Sequence, residues 1–335
     1  MNLRKRILLP LLLGLVGMAA LPVASQAAAV GFGDDHYQMF TNPYWKALHV
    51  RIARYIVPYD AANPGHGRDL ASVNSWIAKA KASGVTPLVA FWHSSRSPNR
   101  VPSTGAYKSA VSRFIALDGP GTGPDVREFQ PYNEANRGTV SSPGVKFRSP
   151  SARQAAAFYL ALKSVCRGCT IAGLDVLDAN KISPTLRYIR DFKRAVGNRN
   201  MPKIWGLHNY SDTNRHSSSR TRAVARLVPG QLWLTETGGI VSFGRAFPGG
   251  RKGEARAAKA MSYMFKLAHI GKIRRVYIFQ WTVDRGRQRF DAAVTNTAGC
   301  PRPAYSVVSA TLIHKRFKGC SLIRKPSKKK PAKHR

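Results

Sequence analysis

The chain has 335 residues, and its 44% apolar content is ordinary for a globular protein and allows a sizeable core; an α/β barrel typically uses about 250 residues as one domain. Lys and Arg total 54 against 16 Asp plus Glu, giving a formal charge of +38 and a pI near 11.0. The basic residues are spread along the chain with no nucleic-acid-binding motif, so specific nucleic-acid recognition is not expected; the charge points instead to an acidic polymer or anionic cell surface, or to a strongly basic proteome or habitat.

Residues 1–28 read as a secretion signal. Arg4, Lys5 and Arg6 supply the positive end, Ile7 to Leu21 the apolar run, and the Ala-rich ASQAAA a small-residue cleavage site near Ala27–Ala29. The run approaches the length of a membrane anchor, but Pro10, the internal glycines and the Ala-x-Ala options favour cleavage. No cysteine sits at the cleavage site, and no later stretch is apolar enough to span a membrane, so no transmembrane segment is expected after processing.

Export makes the four cysteines candidates for disulfides. Proximity pairs Cys166 with Cys169 and Cys300 with Cys320, one of three connectivities. A redox-active CxxC needs a helix amino terminus to lower its thiol pKa, whereas Cys166 and Cys169 follow a predicted helix. Two Cys pairs without a nearby His also argue against zinc.

From Val30 onward, short apolar runs alternate with amphipathic segments, the signature of βα units around a parallel sheet. The predicted strands are Val30–Asp34, His49–Val57, Thr86–Trp92, Val126–Asn133, Thr170–Asp175, Lys203–Asn209, Gln231–Glu236 and Arg275–Trp281. Predicted helices include Arg68–Ser83, Ala152–Ser164 and Lys252–His269, the last with Ala257, Met261, Met264, Phe265 and Ala268 at helical spacing. A weakly patterned, polar helix is placed around Ser217–Leu227. Eight units without a break in composition predict a single closed (β/α)8 TIM barrel over residues 29–322. The remainder, 323–335, is a Lys/Pro tail with too few apolar side chains to dock, and is expected to be disordered.

In such a barrel the site lies at the carboxyl ends of the strands. There the sequence places Asp34, Asp35 and His36; Pro58, Tyr59 and Asp60; Trp92 and His93; Asn133 and Glu134; Asp175 and Asp178; His208, Asn209 and Tyr210; Thr235 and Glu236; and Gln280 and Trp281. Aromatic and polar groups recur at every end, as a sugar site requires. Glu128, Glu134, Glu236 and Glu254 are the only glutamates in the chain, and two of them close apolar strands, VREFQPYNE and QLWLTE. A buried Glu needs a partner or a task. Strands four and seven lie across a barrel from each other, so Glu134 and Glu236 can reach one cleft. Two carboxyl groups flanking a glycosidic bond are what glycoside hydrolysis uses.

The combination of Asn133-Glu134 closing strand four with Glu236 in LTETGG closing strand seven resembles clan A of the glycoside hydrolases, the 4/7 superfamily. The resemblance spans about Val30 to Leu312. It implies Glu134 as acid/base, Glu236 as nucleophile, and Asn133 as the group that holds the sugar 2-hydroxyl. It implies Arg54 orienting Glu236, His208 and Tyr210 contacting the nucleophile or sugar, Trp281 as the floor of the −1 subsite, and His93 as a substrate contact. Two departures stand out. Ala135 follows the glutamate where members often carry proline, and strand two offers Arg51 as well as Arg54, of which Arg54 is preferred.

The expected activity is therefore that of a secreted, retaining glycosidase acting on a polysaccharide or oligosaccharide, with no cofactor and no metal. An anionic glycan or cell surface is a further expected partner. Glu128 is expected to support the strand by pairing with a basic group, and Asp34 and Asp35 either to bind substrate or to cap the first loop; Trp92 and Trp281 are open to either a stacking platform or a core position, and His208 to either the site or a core hydrogen bond. Two other readings remain open at this level. One is a structural pairing of Glu134 and Glu236 with local arginines. The other is a non-catalytic carbohydrate- or cell-envelope-binding barrel. No Gly-rich loop follows a strand, so phosphate chemistry is not expected.

Overall fold

The computed structural model describes residues 27–117, 126–140, 148–283, 289–317 and 319–323. Most of the leader and, apart from Ile323, the basic tail lie outside the described residues. Eight parallel strands close into one barrel in chain order: β1 Ala29–Gly33, β2 Ile52–Pro58, β3 Thr86–Trp92, β4 Glu128–Gln130, β5 Thr170–Leu177, β6 Ile204–His208, β7 Gln231–Thr237 and β8 Ile273–Phe279. The ring is completed by β8 pairing with β1, Ile278 opposite Phe32. The predicted single TIM barrel is the observed fold.

Helices pack outside the strands: α1 Pro43–Leu48, α2 Gly67–Ala82, α3 Thr104–Leu117, α4 Ala152–Val165, α5 Ser183–Val196, α6 Tyr210–Arg215, α7 Ser219–Leu227, α8 Gly250–Ala268 and α9 Pro303–Ile313. The longer ones lay an apolar stripe on the sheet. On α2 the buried residues are Val73, Trp76, Ile77 and Ala80, the spacing of a helix lying on a sheet. Ser151 and Gln154 close the start of α4 with a reciprocal capping box. Between sheet and helices the outward strand residues, among them Tyr55, Val57, Phe91, Phe129 and Leu207, form one continuous core.

Inside the barrel the strands' period of two sorts the filling into layers. The lower layer is apolar: Ile52, Leu88, Ala172, Trp233 and Tyr277. Beside it Glu128 makes a forked pair with Arg275, whose guanidinium lies 4.1 Å from the Trp233 ring centre. Glu128 thus has the supporting role expected of it. One step up, Arg54 follows Ile52, Gln130 follows Glu128, and Thr235 follows Trp233, so the floor of the open end is polar and buried.

Strand boundaries depart furthest from expectation at β2 and β4. β4 ends at Gln130 because Pro131 has no N–H to give the ladder. The chain still runs along β3, Asn133 N–H donating to Phe91 O at 2.7 Å. β2 begins at Ile52 because residues 43–48 form α1, with His49 in a left-handed cap at φ 53°. Arg51 consequently sits exposed below the barrel, while Arg54 is buried at its centre.

The disulfides are Cys166–Cys169 and Cys300–Cys320, with Cα atoms 5.6 and 5.0 Å apart. Cys166 caps the carboxyl end of α4, as expected for a structural rather than a redox pair. Among the described residues no helix is long and apolar enough to cross a membrane.

Candidate active site

At the carboxyl end of the strands the polar layer converges on Arg54. Its Nε donates to Gln130 Oε1 at 2.6 Å, Nη1 to Glu236 Oε2 at 3.1 Å, and Nη2 to Asn133 Oδ1 at 2.5 Å and Asp175 Oδ2 at 3.2 Å. One planar guanidinium therefore fixes side chains from three other strand ends, a task that needs the five donors of Arg. Room for this comes from Gly206. A Cβ there would run into Asp175 Oδ1, Gln130 Nε2 and Thr235 Oγ1.

Asp175 was visible as a strand-end residue but was not picked out for the site. It is fully buried and takes Thr235 Oγ1–H on one oxygen and Arg54 and His208 on the other. Burial alone would raise its pKa; His208 and Arg54 outweigh that and hold it far below the usual carboxylate range. Asp175 acts in turn on His208. Burial favours the neutral ring, but Asp175 and Glu236 push the pKa up to about 10, so His208 is an imidazolium. Its two N–H groups are directed to Asp175 Oδ2 at 2.9 Å through Nε2 and to Glu134 Oε1 at 3.1 Å through Nδ1.

Glu134 sits on the turn after β4 with a left-handed backbone, φ 46°, unusual for a side chain of its size. Its N–H faces Asp175 Oδ2 at 3.4 Å, and Ala135 N–H donates to Asp175 O at 2.9 Å, so the turn is held from below. One carboxylate oxygen faces His208; the other is paired with Arg137, three residues on. Burial would raise Glu134, but His208 and Arg137 prevail and lower it. Arg137 is a site residue that strand-based reasoning missed, because it lies on the loop beyond the strand end.

Glu236, at the end of β7, stands opposite. Arg54 donates to Oε2, and Tyr210 Oη donates to Oε1 at 3.1 Å. Tyr210 opens α6, whose first amides from Ser211 and Asp212 donate to Asp178 at 2.9 and 3.1 Å. The phenol is buried next to Glu236 and its pKa lies well above 10, so it stays a donor.

Glu134, His208 and Glu236 form a triangle in which one oxygen of each carboxylate and one ring nitrogen lie within 4.8 Å of one another. That donor set could suit a metal ion. Both nitrogens of His208 are already spent as donors, however, and an imidazolium has no lone pair to offer. Three cations, Arg54, His208 and Arg137, thus face three carboxylates, Asp175, Glu134 and Glu236.

Of the residues the sequence nominated, Glu134, Glu236, Arg54, Asn133, His208 and Tyr210 are brought together. His93 lies half-buried at the same mouth, 3.9 Å ring to ring from Trp92, close enough to Arg137 and Asp60 for both to act on its charge. Trp281 is not among them. Its indole is 2% exposed and packs edge-on against Phe32, Trp45 and Tyr305 in the shell between barrel and helices. The tryptophan expected as the floor of a subsite is therefore a core residue. Asp34 follows the capping alternative, accepting Thr282 N–H at 2.9 Å and His36 N–H at 2.7 Å.

No protein-family model matches the chain, and no curated protein matches it. Solved structures do. Xylanase 10B from Thermotoga petrophila in complex with xylobiose aligns with a TM-score of 0.60 at 10% identity, covering 84% of this chain and 93% of that one. A psychrophilic glycoside hydrolase family 10 endo-β-1,4-xylanase gives 0.58 at 13% identity, with 84% and 96% covered. GH5_18 from Streptomyces cattleya in complex with GlcNAc gives 0.59 at 14% identity, with 84% and 79% covered. At these identities the likeness is one of fold, the eight-stranded parallel barrel with its helices.

Proposed function

We propose that the protein is an exported glycosidase that cleaves a polysaccharide or oligosaccharide with retention, Glu134 as acid/base and Glu236 as nucleophile. The observation that carries this reading is the approach of the two carboxylates within 4.8 Å above one imidazolium. Like charges so close cost stability unless a task retains them. So close an approach suits the shorter carboxyl separation of about 5–5.5 Å used for retention better than the 6.5–9.5 Å used for inversion. The fold shared with xylanases supports it, as does a fold built to present strand ends. The two disulfides fit an oxidising compartment, in line with the leader sequence.

In the first step a Glu236 oxygen bonds to the anomeric carbon, the bond to the leaving oxygen breaks, and that oxygen takes the proton of Glu134. In the second, Glu134 removes a proton from water, whose oxygen displaces Glu236 and restores both groups. Arg54 and Tyr210 fix the attacking carboxylate. Asn133, its Oδ1 held by Arg54, offers its amide N–H2 to a sugar hydroxyl, and His93 lines the mouth.

The test is a screen of plant, fungal and bacterial polysaccharides, with product stereochemistry followed by NMR, on the wild type and Glu236→Ala. Retention in the wild type and loss of turnover by several orders of magnitude in the folded variant are expected. Inverted product, or activity persisting near a tenth of wild type, overturns it.

A further inference from the structure

Glu134 carries a contradiction. As an acid it must hold a proton on the oxygen facing the leaving group, yet both of its oxygens are covered by cations: Oε1 by His208 and Oε2 by Arg137. The two covers differ. His208 is fully buried and clamped from behind by Asp175, so it cannot leave. Arg137 is 31% exposed, comes from the loop after Glu134, and among the described residues its Nε has no hydrogen-bond partner. A guanidinium with one nitrogen on a carboxylate and a buried, unpaired Nε has donors to spare, and an outward swing would let it grip a second oxyanion with two parallel bonds.

We propose that Arg137 gates the acid function of Glu134 and is opened by an oxyanion on the leaving-group side of the glycan, such as a uronate carboxylate or a sulfate ester. This rests on the assignment of Glu134 as the acid/base. The anion draws the guanidinium off Oε2, which frees that oxygen to take a proton from solvent and pass it to the glycosidic oxygen. A neutral glycan leaves the pair closed and Glu134 ionised. Among the described residues the charged groups facing Glu134 are Arg137 on its own loop, His208 at the end of β6, Asp175 from β5 and Glu236 from β7; of these Arg137 is the most exposed. Burial above all lowers the pKa of His93, and the field of Arg137 adds to it, while the Ser94 carbonyl and Asp60 oppose them. The net charge of +38 supplies the long-range attraction that such a substrate would feel.

Four glutamates make the gate directly observable. With 13C-labelled glutamate carboxyls, each titrates as its own NMR signal. In the wild type, Glu134 is expected below the ordinary range, and in Arg137→Ala or Arg137→Gln its midpoint rises by about one pH unit or more. Glucuronic acid and inorganic sulfate, added separately to tell a carboxylate preference from a sulfate one, raise the midpoint in the wild type, glucose does not, and neither variant responds. No movement with either anion in the wild type, or an equal response in the variants, overturns the proposal.

For any glycan the screen finds to be cleaved, an acidic substrate and its carboxyl-reduced twin give the second reading. Arg137→Ala should lose roughly a hundredfold in kcat/KM on the acidic one and gain on the neutral one. Equal losses on both would reduce Arg137 to a structural prop. Absence of hydrolysis altogether removes the glycosidase reading and leaves the titration to decide the gate by itself.

Discussion

Asp175 Oδ2 lies 2.9 Å from His208 Nε2, and that contact sets the charge of the cleft above it. It turns a buried imidazole into a fixed imidazolium, which then serves the Glu134 carboxylate at 3.1 Å and approaches that of Glu236 at 3.6 Å.

The pH dependence of stability follows from this pair. His208 rises to about 10 in the folded chain from about 6.5 in the unfolded one. Its contribution is therefore complete below about pH 6.5, declines above that, and is gone past about 10. Asp175 has the opposite sign: its depressed pKa stabilises the fold above about pH 3.9 and is lost only in strong acid. In Asp175→Asn the melting temperature should fall by the equivalent of about 3–5 kcal/mol and should change less between neutral and alkaline pH. An alkaline slope as steep as that of the wild type would contradict the assignment.

Removing the acid should matter only where an acid is needed. Glu134→Ala is expected to lose about 10²–10⁴-fold on sugars with alcohol leaving groups and far less on aryl glycosides whose phenolate departs unaided. A uniform loss on both substrate types, measured as kcat/KM, would assign Glu134 to binding instead.

Gly206 is a packing prediction. In Gly206→Ala the added methyl meets Asp175, Gln130 and Thr235 at the barrel axis. Overpacking should cost about 1–3 kcal/mol, read as a lower urea midpoint, and should reduce turnover by shifting Arg54. A silent substitution would mean that the polar layer is loosely held.

The disulfides should contribute unequally. Cys300–Cys320 closes a loop of 20 residues and Cys166–Cys169 one of 3. On the chain-entropy account the longer loop is worth about 3 kcal/mol and the short one less. Cys300→Ser with Cys320→Ser is thus expected to lower the melting temperature more than the Cys166 and Cys169 double variant.

The barrel was legible because apolar runs and amphipathic helices alternate eight times, and Arg54, His208, Tyr210 and both glutamates were legible because each lines a strand or lies at or just beyond its carboxyl end. Asp175 escaped because its importance lies in partners on β2, β6 and β7, which no local pattern connects. Arg137 escaped because its loop carries no periodic signal. Trp281 stayed open between platform and core for a geometric reason: being near a strand end does not say which side of the wall a ring will take, and this one joins Phe32 and Trp45 in the outer shell. α6 was unseen since six residues give too little period to read.

A ring of strands has no natural first half. β1 needs β8 on one side, Phe32 against Ile278, as much as it needs β2 on the other. A nascent chain cut short before Phe279 would therefore present two raw sheet edges, an invitation to aggregate rather than a partly closed barrel. Whatever chaperones this polypeptide must keep it open until nearly the whole length has been made.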